Sequence, residues 1–164
     1  MKKTARFLAQ ASVIAALYAV LTHMQNILLP GSATWAVQFR LSEALCVLAY
    51  FTPAAAVGLS VGCLIFNLTF AAALPLDFLL GTLATYSAAK GMWLCRRHPF
   101  VGLFLPALTN AVLIGLELTV YIGGGFWFNA ACVALGEAAV LLTLGSALYY
   151  AMKKRGLDTR LFAM

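Results

Sequence analysis

Apolar residues run along this chain in long blocks, interrupted only where Pro, Gly or clustered charge appears. Six blocks result. Residues 7–29 are closed by Pro30 and Gly31, and residues 37–51 by Thr52 and Pro53. Residues 54–73 end before Leu74 and Pro75, and residues 77–95 stop at Arg96, Arg97, His98 and Pro99. Residues 100–122 run into Gly123, Gly124 and Gly125, and residues 126–152 into Lys153, Lys154, Arg155 and Gly156. Strand-like alternation is missing, and most blocks approach the ~20 residues that cross a hydrocarbon core as a helix. A helix satisfies its own backbone hydrogen bonds in lipid, so the pattern predicts a single all-α domain over 1–164, a bundle of six membrane helices. The second block is too short to span unaided, and is expected to be tilted, irregular at its start, or shielded by protein.

Composition changes the picture only by removing the soluble alternative. Of 164 residues, 63% are hydrophobic and 10% charged, too few charges to cover a soluble domain of this size. The first block follows a basic start, but it is longer than a signal-peptide core and lacks a small-x-small cleavage site, so it is expected to be retained. Cys46, Cys63, Cys95 and Cys132 lie on separate blocks without a CxxC pair, as expected of buried thiols.

Charge then fixes orientation. Lys2, Lys3 and Arg6 precede the first block, Lys90, Arg96 and Arg97 end the fourth, and Lys153, Lys154, Arg155 and Arg160 follow the sixth. In a six-span chain all ten share one side, which the positive-inside rule makes cytoplasmic, with both termini there. The basic balance is therefore a topology signal, and no nucleic-acid partner is expected. What remains inside the blocks is acidic: Arg40 stands against Glu43, Asp77, Glu117 and Glu137.

An ionisable side chain at mid-span costs ~2.5–3.5 kcal/mol or more, so the position of these five is informative. Arg40 and Glu43 fall at the outer start of the second block, and Asp77 at the outer start of the fourth. Asn67 lies near the outer end of the third, Glu117 near that of the fifth, and Asn129 and Glu137 descend on the sixth. At 1.5 Å per residue Glu137 lies about 16 Å below Phe126. The set predicts a polar pocket in the outer half with an apolar floor. Arg40 and Glu43, three residues apart, can also neutralise one another as a structural pair. One cation does not balance four acids, so the surplus must be protonated, wetted, or matched by a ligand rich in N–H donors or positive charge.

Trp35, Phe39, Tyr121 and Trp127, with Phe126 and Phe128, frame the same outer rim. They are read either as an interfacial aromatic belt or as a stacking platform for a flat heterocycle. His23 is expected at the interface and His98 among cytoplasmic charges. The three glycines 123–125 lack the Lys-Ser/Thr of a phosphate loop and are expected to be a turn or an outer lid. Ala11, Ala15 and Ala19 form a small-residue stripe suited to close helix approach, either within the bundle or on a partner. No Walker motif, nucleophile elbow or HExxH is present, so no enzyme and no cofactor are expected.

The stretches VQFRLSEAL (37–45), FTPAAAVGLSVGCLIFNL (51–68) and LDFLLGTLATYSAA (76–89) resemble the QueT family, substrate-binding S-components of energy-coupling factor (ECF) transporters. The resemblance implies capture of a queuosine precursor, queuine or 7-aminomethyl-7-deazaguanine, at the outer face of a bacterial cell membrane. It implies coupling to a membrane subunit and two ATPases, with Ala11, Ala15 and Ala19 similar to the AxxxA docking surface of such proteins. The chemistry of the acids agrees, since N1–H and the 2-amino group of a 7-deazaguanine present paired donors and the aminomethyl group is a cation. Glu117 or Glu137 is expected at the guanine-like edge and Asp77 or Glu43 at the amine, with Arg40 and Asn67 orienting those carboxylates or meeting the purine carbonyl. Two alternatives stay open: an S-component for another cationic heterocycle such as thiamine, and a membrane assembly protein whose acids pair with a partner.

Overall fold

A computed structural model describes residues 2–32, 37–70 and 73–162, and every regular element among them is helical. Helix α1 is Lys2–Leu28, α2 is Ala54–Thr69 and α3 is Asp77–Leu94. A one-turn α4, Pro99–Gly102, leads into α5, Phe104–Tyr121. Helix α6, Phe126–Val140, continues through a π turn, Leu141–Gly145, into α7, Ser146–Lys154. A short α8, Leu157–Phe162, follows. Each predicted block therefore contains helix. Three helical stretches are long and apolar enough to cross a membrane: Lys3–Leu28, Pro99–Tyr121 and Phe126–Lys154. Their outward faces are apolar, with Val13 60% and Leu135 67% exposed, as expected of surface that meets lipid rather than water.

The second block departs from the expected helix with Arg40 and Glu43 in its first two turns. Residues 38–40 are extended, with Arg40 at φ −80° and ψ 103°, and helix begins only at Leu41. From Leu41 to Tyr50 the backbone is a 3-10 helix of ten residues, far longer than the usual three or four. At about 2.0 Å per residue it reaches ~20 Å, where an α-helix of equal length would reach ~15 Å. Stretching in this way lets a short segment cross most of the bundle. The run ends at Tyr50, and Pro53, which lacks an N–H and disfavours helix in the residue before it, keeps Thr52 out of the helix that follows. Ser42, Glu43, Cys46, Val47 and Ala49 are almost wholly buried. Helices α1, α2, α3, α6 and α7 and the π turn all pack on this segment. The short block is thus the axle of the bundle, shielded by its neighbours.

Around it α1 packs on α2, α2 on α3, α3 on α5, and α5 on α6. Two glycines set the first of these contacts. A Cβ on Gly58 would stand 2.6 Å from the Ala11 carbonyl oxygen, and one on Gly62 2.7 Å from that of Ala15. Ala11, Ala15 and Ala19 are correspondingly buried. In the chain by itself the alanine stripe lies in the seam between α1 and α2, the packing role among the two expected of it.

Both chain ends meet at the basic end of the bundle. Arg6 Nη2 and Gln10 Nε2 donate to the Leu161 carbonyl at 3.4 and 2.9 Å. Tyr50 Oη donates to the Pro99 carbonyl at 2.6 Å, and Phe51 stacks on Phe162. Helix α8, unanticipated from the sequence, is turned back by Gly156 at φ +59°, a left-handed value that favours glycine. It is held by a 3.2 Å ion pair between Lys153 and Asp158.

Candidate substrate-binding site

At the other end of the 3-10 helix the charged residues of four separate elements come together inside the protein. Arg40, Glu43, Asp77, Glu117 and Glu137 are each 5% exposed or less. Glu137 lies within electrostatic reach of Glu43 and Arg40, and Glu117 within reach of Asp77 and Arg40. Asp77 and Glu43 in turn act on Arg40. Four acids and one arginine thus share one buried neighbourhood.

Their hydrogen bonds divide them into two kinds. Glu43 is occupied: its Oε1 accepts from Tyr18 Oη at 2.5 Å and its Oε2 from Cys46 Sγ at 3.0 Å. Asp77 serves the turn that leads into its own helix, with Oδ2 accepting from the Leu74 N–H at 2.7 Å. Glu137 is half used, because Oε1 accepts from Asn110 Nδ2 at 3.1 Å while Oε2 has no partner. Glu117 has no well-formed hydrogen bond to either oxygen among the described residues, although the Leu76 N–H and the Asp77 carboxyl both lie close enough to act on it. Asn67 donates to the Asp77 main-chain oxygen at 2.8 Å, through a space that a Cβ on Gly81 would fill, and its Oδ1 is also left unpaired. Among the described residues, four buried acceptor atoms on α2, α5 and α6 therefore lack a well-formed hydrogen bond. Leaving such a group unsatisfied costs about 1–3 kcal/mol, more when it is charged.

Other expected site residues stand elsewhere. Asn129 donates to Thr119 Oγ1 and to the Gly123 carbonyl, both at 3.0 Å, so it ties the glycine turn to α5. Phe39 and Tyr121 are 45% and 43% exposed, and Trp127 is 83% exposed against Phe126. These rings face outward, which fits the belt reading better than the stacking platform. Trp35 lies outside the described residues.

Structure adds a group of residues that the search for charge passed over. Tyr18, Thr22 and Gln25 recur on one face of α1 and bond in succession to the segment that bears Arg40 and Glu43. One turn further along α1 from the Tyr18–Glu43 bond, Thr22 Oγ1 donates to Ser42 Oγ at 2.7 Å. The Gln25 amide grips the backbone on both sides of Arg40, donating to the Phe39 carbonyl and accepting from the Leu41 N–H at 2.8 Å. The spacing of 18, 22 and 25 was a visible sign, since one helix face carries residues at i, i+4 and i+7. Replacing Gln25 by Ala is expected to lower stability by about 1–3 kcal/mol through the bonds it orphans. The 38–41 backbone should also loosen, seen as faster amide hydrogen exchange there than in α5.

An apolar exterior around an enclosed, under-satisfied polar centre is the layout of a membrane transport protein that receives a polar solute. Comparison with known proteins agrees and narrows the class. The chain belongs to the QueT transporter family, described as QueT transporter, whose profile it matches over residues 8–154. No curated protein and no solved structure matches it.

Proposed function

We propose that the protein is the substrate-binding S-component of an ECF-type importer in the bacterial cell membrane, and that it captures a queuosine precursor, queuine or 7-aminomethyl-7-deazaguanine. In this reading the bundle has six spans with both termini cytoplasmic, and the charged neighbourhood lies in the outer half. The meeting of the two chain ends among the basic residues supports that topology. A coupling subunit and two ATPases complete the transporter. The docking face would be a surface of the bundle other than the buried alanine stripe.

The observation that carries the substrate assignment is the set of four unpaired acceptors, Glu117 Oε1 and Oε2, Glu137 Oε2 and Asn67 Oδ1. A ligand completes them only by bringing donors. A 7-deazaguanine brings N1–H and the 2-amino group side by side, matched to one carboxylate, and an aminomethyl cation matched to another acid. Because both oxygens of Glu43 are already engaged, the amine falls to Glu117 with Asp77, and the guanine-like edge to Glu137 with Asn67. Arg40, held by its clamped backbone, offsets only part of the acidic charge when no ligand is present. Three or four charge-assisted hydrogen bonds in a dry site are of the right size for tight capture.

Thermal melting of the purified protein with a panel of 7-deazaguanines, thiamine, riboflavin and biotin tests this. A ligand specific to the folded state at a hundred times its Kd stabilises by about 2.7 kcal/mol. Queuine or 7-aminomethyl-7-deazaguanine is expected to raise the melting temperature at micromolar concentration. Stabilisation by thiamine alone would replace the substrate while keeping the S-component. Inertness to the whole panel would return the acids to a purely structural or assembly role.

A further inference from the structure

A second feature lies at the opposite end of the 3-10 helix and plays no part in the charged site. Helices α1 and α7 flank the 3-10 helix without packing extensively on one another, and a groove of about 430 Å³ opens between them. Its lining includes Val13 and Leu17 from α1, Leu148 and Met152 from α7, Leu48 from the 3-10 helix, and Leu161 and Phe162 from α8. The groove is apolar except for Gln10, whose amide is already engaged by the Leu161 carbonyl and by Thr52 Oγ1. It is closed at the basic end, where α8 is tied down by Arg6 and Gln10. A partner helix running through would need both ends open. A flexible chain whose head turns outward at the closed end would not.

Charge stands at that same end. Arg6 reaches the Leu161 carbonyl, Arg160 is the neighbouring residue, and both are exposed. The nearby acid, Asp158, is already paired with Lys153. We propose that the groove holds an acyl chain of one anionic phospholipid, with its phosphate drawn to Arg6 and Arg160. Basic sites beside grooves between membrane helices recognise lipid head groups in this way, because the chain is buried while the phosphate stays at the interface. The lipid would fill the gap that the slender 3-10 helix leaves between α1 and α7. It would also brace α8 without touching the charged site.

Native mass spectrometry of the full chain with phosphatidylglycerol and phosphatidylcholine of identical acyl chains tests the proposal. One phosphatidylglycerol per protein should be retained, with a preference over phosphatidylcholine of about tenfold or more for two interfacial cations. Val13→Trp, at an exposed position, should fill the groove and abolish retention. Arg6→Gln with Arg160→Gln should reduce phosphatidylglycerol to the level of phosphatidylcholine. The melting temperature of each variant in lipid-free detergent reports folding, and the arginine variant keeps the test valid should Val13→Trp fail to fold. Equal retention of the two lipids by the wild type would overturn the proposal, as would phosphatidylglycerol retention that survives Val13→Trp. Loss of an ECF-type partner complex in Val13→Trp with lipid retention intact would assign the groove to a protein helix instead.

Discussion

Glu117→Gln combined with Glu137→Gln is expected to weaken binding of a 7-deazaguanine by more than about 100-fold, while the unliganded protein melts at a higher temperature than wild type. The two halves of this expectation have one cause. Both carboxylates are buried, and three of their four oxygens have no well-formed hydrogen bond among the described residues. Glutamine keeps the shape, removes the charge and lends an N–H that can reach a neighbouring acceptor, so the empty bundle is relieved of a desolvation cost. The ligand loses in the same exchange. Each charge-assisted bond to a carboxylate is worth about 1.5–3 kcal/mol, and an amide presents an N–H where an acceptor is needed. Isothermal titration of the double variant beside its melting curve gives both quantities. A binding site that carries strain for function moves them in opposite directions, whereas acids that merely hold the bundle together would lower both. Unchanged affinity in the double variant would remove the substrate assignment.

That the buried charges are worth locating was legible in the sequence because charge in a membrane helix is rare and costly, so the few that occur mark places that matter. Asp77, Glu117 and Glu137 lie on three different helices, and the outer-end positions of their blocks were enough to predict that they meet. Which of them are free was not legible. Glu43 looked as available as Glu117, but Tyr18, 25 residues earlier, occupies one of its oxygens. Such a bond depends on how two helices pack and leaves no local pattern. The aromatic rim shows the converse limit. Tyr121 and Trp127 stand close to the site in sequence, yet helix rotation turns them outward, and a helix hydrophobic on all sides gives little sign of which face is inside. The 3-10 backbone of the second block follows from the distance it has to cover, a tertiary demand that overrides local preference.

Gly136→Ala is the second substitution expected to have a large effect, although it adds one methyl group and touches no charge. Residues 38–40 pass directly over α6 at this point. A Cβ on Gly136 would be driven into the Gln38 carbonyl oxygen, with the Gln38 carbonyl carbon at 2.8 Å and its nitrogen at 3.0 Å. All three are backbone atoms, so no rotamer change can absorb the collision. The segment must lift from the helix. Overpacking of this kind costs about 1–3 kcal/mol. Here the displaced backbone is two residues from Arg40, and the helix it leaves carries Glu137 as the next residue. Substrate affinity should therefore fall by about tenfold or more beyond what the loss of stability explains, because Arg40 and Glu137 are moved apart. Gly125→Ala is the matched comparison: it stands at the start of the same helix, at φ −84°, and an added Cβ there would meet nothing within 4 Å. That variant should melt within about 0.5 kcal/mol of wild type and bind normally. If Gly136→Ala also bound normally, the extended stretch would have no part in shaping the site. The clamp that Gln25 places around Arg40 would then be scaffolding alone.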